Sequence, residues 1–133
     1  GEIVDIHHVF PRDWCQKRGI PRERFDTVVN KTPLSSRTNR IIGGDAPSLY
    51  LRKLVRGGGA SEDAIDDHLR SHYIDPALLR TDDFDAFFHQ RREALLTVIE
   101  KAMGKAVYRG EGTDEPTEDV IASEEDELSE AAD

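Results

Sequence analysis

The C-terminal segment, residues 109–133, limits what the chain can fold into, because it contributes charge and almost nothing to a core. It holds eleven acidic residues and one basic residue, a net charge of −10, and no aromatic residue. A segment of this composition cannot bury enough apolar surface to offset the entropy lost when it orders. We therefore expect residues 109–133 to form a disordered acidic tail and residues 1–108 to form one domain.

The remaining charge is also unevenly distributed. Residues 1–56 carry eleven Lys and Arg side chains against six Asp and Glu, a net charge of +5, whereas residues 57–108 carry a net charge of −4. The formal net charge of −9 for the whole chain is thus set mostly by the tail. A basic N-terminal half is suited to a polyanionic partner.

Cysteine and hydropathy content exclude several classes of protein. Cys15 is the single cysteine, which excludes an internal disulfide framework and any zinc site built from several cysteines. No apolar run approaches the roughly 18 residues that a membrane-spanning helix needs, and no secretion-signal pattern opens the chain. The resulting expectations are a cytoplasmic location and no association with a membrane.

The predicted fold class is α+β. β-Branched residues favour a strand over about residues 2–10, and a second, broken strand over about residues 27–34 is expected to pair with it antiparallel. A long loop over residues 11–27 connects them, and a helical turn around Asp13–Lys17 is an option within it. Ser35 or Ser36 can cap a short helix that ends near Ile42. Further helices are predicted after Asp45, after Ser61 and from about residue 82 to 103, and they are expected to form the core behind the hairpin.

Two adjacent histidines, His7 and His8, lie at the end of the first predicted strand. Neighbouring side chains on a regular strand point to opposite faces, so the pair is suited to two tasks and not to one shared metal ion. His7 could face a metal held against the following helix, and His8 could face a water that attacks a substrate. A neutral imidazole can accept a proton at pH 7. The alternative is a histidine pair that merely ends a strand.

Two asparagines follow at informative positions. Asn30 lies where the second strand should meet the first, and its side chain could hydrogen-bond the backbone on both sides of the loop and orient His8. Asn39 lies inside the predicted short helix, where asparagine is a poor helix former, and its carbonyl oxygen is an acceptable ligand for a hard cation such as Mg²⁺. The alternatives are an Asx turn at Asn30 and a residue near the helix end at Asn39.

Together these residues resemble a known nuclease motif. The sequence His-His-Val-Phe-Pro at 7–11, followed by Asn-Lys-Thr-Pro-Leu-Ser-Ser-Arg-Thr-Asn-Arg-Ile-Ile-Gly at 30–43, is similar to the HNH motif of the ββα-metal fold. The narrower resemblance, over about residues 2–105, is to the C-terminal HNH domain of GmrSD-type restriction proteins, which include the phosphorothioation-sensing Ssp effector. It implies a two-stranded hairpin and a short helix, packed on a mainly helical C-terminal part.

The resemblance also implies a role for each residue. His8 matches the general base, His7 the first metal ligand, Asn30 the central asparagine that supports the base, and Asn39 the last ligand position. Arg40, next to Asn39, is expected to contact the scissile or an adjacent phosphate.

Three further cations, Arg12, Lys31 and Arg37, are expected to follow the DNA backbone, unless they are only solvated surface charges. Asparagine is a weaker ligand than histidine for soft metals, so Mg²⁺ or Mn²⁺ is expected at this site. No structural zinc is expected, because the chain lacks the paired Cys-x-x-Cys motifs of relatives that carry one.

The activity implied is that of a metal-dependent DNA endonuclease that nicks or cuts foreign duplex DNA as the effector domain of a bacterial restriction-type defence protein. The implied partners are double-stranded DNA and an N-terminal ParB-like nucleotidase domain of the same full-length protein. Two other functions stay open. The domain could be a non-catalytic DNA-binding module of the same fold, or a helical interaction domain whose histidines are structural.

Overall fold

Two antiparallel strands form a hairpin near the start of the chain. The computed structural model describes residues 4–109, and within them β1 (Val4–His8) pairs with β2 (Lys31–Ser35). The predicted antiparallel pairing is confirmed. In the register, His8 is opposite Lys31 and His7 is opposite Thr32.

The two faces of the hairpin differ in burial. Side chains that are directly opposite share a face. Thr32 is buried and Leu34 packs against the hydrophobic core, so the face that also carries His7 is the covered one. Ile6, on the face of His8, is 58% exposed. The hairpin therefore directs the two histidines to different environments.

The segment between the strands is more helical than predicted. It contains α1 (Arg12–Lys17), α2 (Arg22–Phe25) and a 3₁₀ turn (Val28–Asn30), so that β2 begins at residue 31 and not near residue 27. β1 ends at His8, earlier than predicted. The cause is that the N–H of Phe10 donates to the Asn30 side chain and not to a strand partner.

The helix after the hairpin has the predicted bounds. α3 (Ser36–Ile42) is capped by Ser35, whose Oγ accepts a hydrogen bond from the Thr38 N–H at 3.1 Å. Gly43 ends the helix with a φ of +54°, a conformation that glycine adopts without a steric penalty. α3 packs against both strands. The local order is thus strand, loop, strand, helix.

Four more helices complete the described residues, and their bounds are Pro47–Gly58 (α4), Glu62–Ser71 (α5), Pro76–Arg80 (α6) and Phe84–Met103 (α7). Ser61 caps α5 as predicted. Ala46, not Asp45, occupies the capping position of α4, because the helix begins at Pro47, a residue favoured at the first helical position. The Asp45 carboxylate pairs with Lys53. The coarse α+β class is confirmed.

The hydrophobic core is centred on aromatic residues from the segment after β1 and from α7. Phe10 is fully buried, and its ring lies 4.9 Å from that of Phe87 and 5.3 Å from that of Phe84, measured between centroids. The segment directly after the two histidines is therefore anchored to α7.

The described residues divide into two units, and the boundary between Leu95 and Leu96 lies inside α7. The predicted domain and its acidic tail remain predictions, because residues 110–133 lie outside the described part of the chain. Over residues 4–109, no helix combines the length and the apolar character that crossing a membrane would require.

Candidate functional site

A buried asparagine holds the backbone directly after the two histidines. Asn30 has no exposed surface. Its Oδ1 accepts from the Phe10 N–H at 2.8 Å, and its Nδ2 donates to the carbonyl oxygens of Phe10 at 3.0 Å and Phe25 at 2.8 Å. The Asn30 carbonyl also accepts from the Val9 N–H. The side chain thus bridges both sides of the loop, which is the arrangement expected from the sequence and more than an Asx turn.

His8 is paired with a carboxylate that the sequence did not point to. Its Nε2 lies 2.9 Å from Oδ1 of Asp26, and about a quarter of each side chain is exposed. The ring of Phe25 meets the imidazole edge-on, with the centroids 6.1 Å apart. If Nε2 carries the proton that binds Asp26, Nδ1 is left as an acceptor.

Asp26 is held in its ionised form. Burial alone would raise its pKa, but hydrogen bonds from His8, Lys31 and Arg22 outweigh burial and bring the pKa below the ordinary value of 3.8. Lys31 Nζ lies 3.1 Å from Oδ1, and Arg22 Nε lies 3.4 Å from Oδ2. Lys31, predicted as a DNA contact, is therefore engaged by Asp26 beside His8. No motif spacing marks Asp26, because it lies in an irregular turn.

Of the two predicted metal ligands, His7 lies on the covered face of the hairpin and Asn39 lies on α3. His7 is half-buried opposite Thr32, whose hydroxyl is buried and has no hydrogen-bond partner. Asn39 is half-buried on α3, which packs against both strands. An imidazole and an amide oxygen suit a divalent cation that takes its other ligands from water and phosphate. The unpartnered Thr32 hydroxyl could bond such a water, so these residues fit the implied ion.

The carboxylates of the described residues form no larger metal-binding group. Within residues 4–109, no group of three or more His, Cys, Asp and Glu side chains is arranged to hold a metal ion. Asp5, which shares the face of His7, accepts from the N–H of Ile6 at 2.8 Å. The two predicted ligands, His7 and Asn39, include no carboxylate.

A buried arginine on α7 is the second residue that sequence reasoning missed. Arg91 is 5% exposed, and its guanidinium donates to the carbonyl oxygens of Val29 at 2.8 Å and Lys31 at 2.5 Å. Its Nε donates to the carbonyl of His72. Burial lowers the pKa of Arg91 to about 10. Arg91 follows the buried Phe87 by four residues, so helical periodicity could have predicted that Arg91 lies on the buried face of α7.

The other predicted cations lie on the surface. Arg12 is exposed on α1, and Arg37 and Arg40 are exposed on α3, three residues apart on one side of the helix. Cys15 is fully buried, its thiol donates to the Phe10 carbonyl, and burial raises the pKa of the thiol to about 11. A thiol in this state is a packing group and not a nucleophile.

Comparison with known proteins identifies no characterised relative. No protein-family model and no solved structure matches the chain. The chain is 30% identical over 117 residues to MJ0686, an uncharacterized protein of Methanocaldococcus jannaschii. The match covers 72% of this chain but 20% of that protein, so the chain spans about a fifth of the length of its relative.

Proposed function

We propose that the chain is a metal-dependent DNA endonuclease domain with a ββα-metal core of the HNH type. The observation that carries the proposal is the buried amide of Asn30, which holds the loop directly after His7 and His8. The order β1, loop, β2 and α3 around that amide supports it further. Defence against foreign DNA and the ParB-like nucleotidase partner come from the sequence resemblance alone, and the cytoplasmic location comes from the cysteine content.

His8 acts as the general base in this proposal. Its Nε2–H donates to Asp26, 2.9 Å away, which leaves the Nδ1 lone pair to take a proton from the attacking water. The imidazole becomes positively charged during this transfer. The ionised carboxylate of Asp26 stabilises that charge and keeps the ring in one orientation.

The proposed ligands are His7, on the opposite face of β1 from His8, and Asn39, on α3. His7 and Asn39 would hold Mg²⁺ or Mn²⁺, which when bound neutralises charge on the phosphodiester. Asn30 fixes the backbone after both histidines and thereby holds their imidazoles in place. His8 would therefore meet a bound phosphate in a constant orientation. Arg40, beside Asn39 on α3, is placed to contact the same or the next phosphate.

A non-catalytic DNA-binding module is the second candidate. The identity of the proposed ligands favours it, because neither His7 nor Asn39 is a carboxylate and Mg²⁺ sites in proteins usually include one or two carboxylates. Such a module would keep the fold and the basic surface but would hydrolyse nothing.

Plasmid nicking tests the proposal. Supercoiled plasmid is incubated with Mg²⁺ or Mn²⁺ and with the wild type, His8→Ala or His89→Ala. His89 is an exposed histidine on α7 and serves as the control. We expect the wild type and His89→Ala to nick equally, and His8→Ala to be slower by about 100-fold or more, the usual effect of losing a general base. Equal activity of His8→Ala would rule out this site, and binding without nicking would favour the second candidate.

A further inference from the structure

A second basic feature lies away from the histidines, between two helix ends. The α3–α4 groove has a volume of about 400 Å³ and is lined by Arg40, Ile41, Lys53, Arg56 and Gly57. Arg40 belongs to the last turn of α3 and Arg56 to the last turn of α4. Three of the five lining residues are therefore cations from two different helices.

The charges in the groove are incompletely balanced. Lys53 pairs with Asp45. Arg40 and Arg56 are both exposed, and among residues 4–109 neither forms an ion pair with a carboxylate. An arginine fork without a carboxylate partner is suited to bidentate binding of a phosphate. The groove thus presents two available guanidinium groups and a third cation that is shared with Asp45.

The wall of the groove gives access to a ligand. A Cβ atom built at Gly57 would have no neighbouring atom within 4 Å, so open space adjoins the helix backbone at this position. A Cβ atom built at Gly58 would lie 3.8 Å from the Ile41 side chain and 3.9 Å from the Leu54 side chain, which is ordinary contact distance. A bulky anionic chain can therefore lie along α4 without meeting a side chain at Gly57.

Helix stabilisation alone is the simplest competing explanation. Cations in the last turn of a helix interact favourably with its dipole. That effect requires each cation to lie at its own helix end. It does not require cations from α3 and α4 to line one groove.

We propose that the α3–α4 groove binds the phosphodiester backbone of duplex DNA, with Arg40 and Arg56 as the main contacts and Lys53 as a third. Because Arg40 directly follows Asn39, the groove extends DNA contact from the candidate site to α4. The choice of DNA as the polyanion rests on the proposed function, but binding in the groove does not require cleavage.

The salt dependence of DNA binding tests this inference. Anisotropy of a labelled duplex of about 30 base pairs is followed in EDTA, so that no cleavage occurs, from about 50 to 300 mM salt. Each phosphate contact contributes about 0.9 to the slope of log K against log salt concentration. We expect Arg56→Gln to reduce the slope by about 0.9, and the double variant Lys53→Gln/Arg56→Gln by about 1.8. Arg70→Gln, an exposed cation on α5, should leave it unchanged.

Several results would overturn the inference. The inference fails if the double variant binds the duplex with the same salt slope and the same affinity as the wild type. It also fails if the wild type does not bind the duplex. A lower melting temperature with unchanged binding would assign Arg56 to helix stabilisation. Plasmid nicking separates this failure from that of the proposed function. If the protein binds DNA through the groove but does not nick plasmid, the groove inference stands and the proposed nuclease function fails. If the protein nicks plasmid and Arg56→Gln has no effect on binding, the nuclease function stands and the groove inference fails.

Discussion

Replacement of Asn30 by alanine tests the interaction on which the candidate site depends. The Asn30 amide accepts one hydrogen bond from the Phe10 N–H and donates two, to the carbonyls of Phe10 and Phe25. Alanine removes all three, which leaves the Phe10 N–H and the Phe25 carbonyl without a partner and the Phe10 carbonyl with only the Cys15 thiol. Asn30 is fully buried, so water does not readily replace the lost bonds.

The structure permits a rough magnitude. A hydrogen bond contributes about 1 kcal/mol net, and a buried polar group left unpaired costs about 1–3 kcal/mol. We expect Asn30→Ala to lose about 3–5 kcal/mol, a large part of the about 5–15 kcal/mol by which a domain is stable. Urea unfolding followed by circular dichroism measures this. With a slope of about 1.5 kcal/mol/M, the midpoint should fall by about 2–3 M.

Asn39→Ala is the matched control. Asn39 is half-buried on α3, and over residues 4–109 no hydrogen bond of its side chain is found. Alanine favours helix more than asparagine by about 0.5 kcal/mol, so this variant should be as stable as the wild type or slightly more so. A loss below about 1 kcal/mol for Asn30→Ala, or equal losses for the two variants, would refute the reasoning.

Three other predictions concern buried or paired groups. Arg91→Lys keeps the charge but loses the guanidinium fork, so urea unfolding should show a loss of about 2–4 kcal/mol, and a loss under about 0.5 would contradict the role of the fork. Because the pKa of Asp26 lies below 3.8 in the folded state, its stabilisation is complete above that pH and is lost as the pH falls further. The stability of the wild type and Asp26→Asn should therefore converge in acid, and a constant difference would disprove the linkage. The Cys15 thiol, with its pKa raised to about 11, should react with a disulfide reagent at about pH 8 only after unfolding, and rapid labelling of the folded protein would argue against its burial.

The hairpin and α3 were predictable because local signals determine them. β-Branched residues favour the strands, Ser35 supplies the cap of α3, and Gly43 supplies the positive φ at its end. α1 and α2 were less readable, since helices of 6 and 4 residues are too short to show a periodic pattern. Their signal was proline, because Pro11 and Pro21 stand directly before the two helices.

The candidate site likewise has features that the sequence determined and features that only the tertiary structure decided. The sequence alone determined that His7 and His8 point to opposite faces, because a strand repeats every two residues, and that Asn30 would lie where the strands meet. Only the tertiary structure decided that Asp26 pairs with His8 and that Arg91 binds carbonyls about 60 residues away in the chain. These hydrogen bonds depend on how an irregular loop and a distant helix pack together. Local propensity and periodicity do not determine that packing.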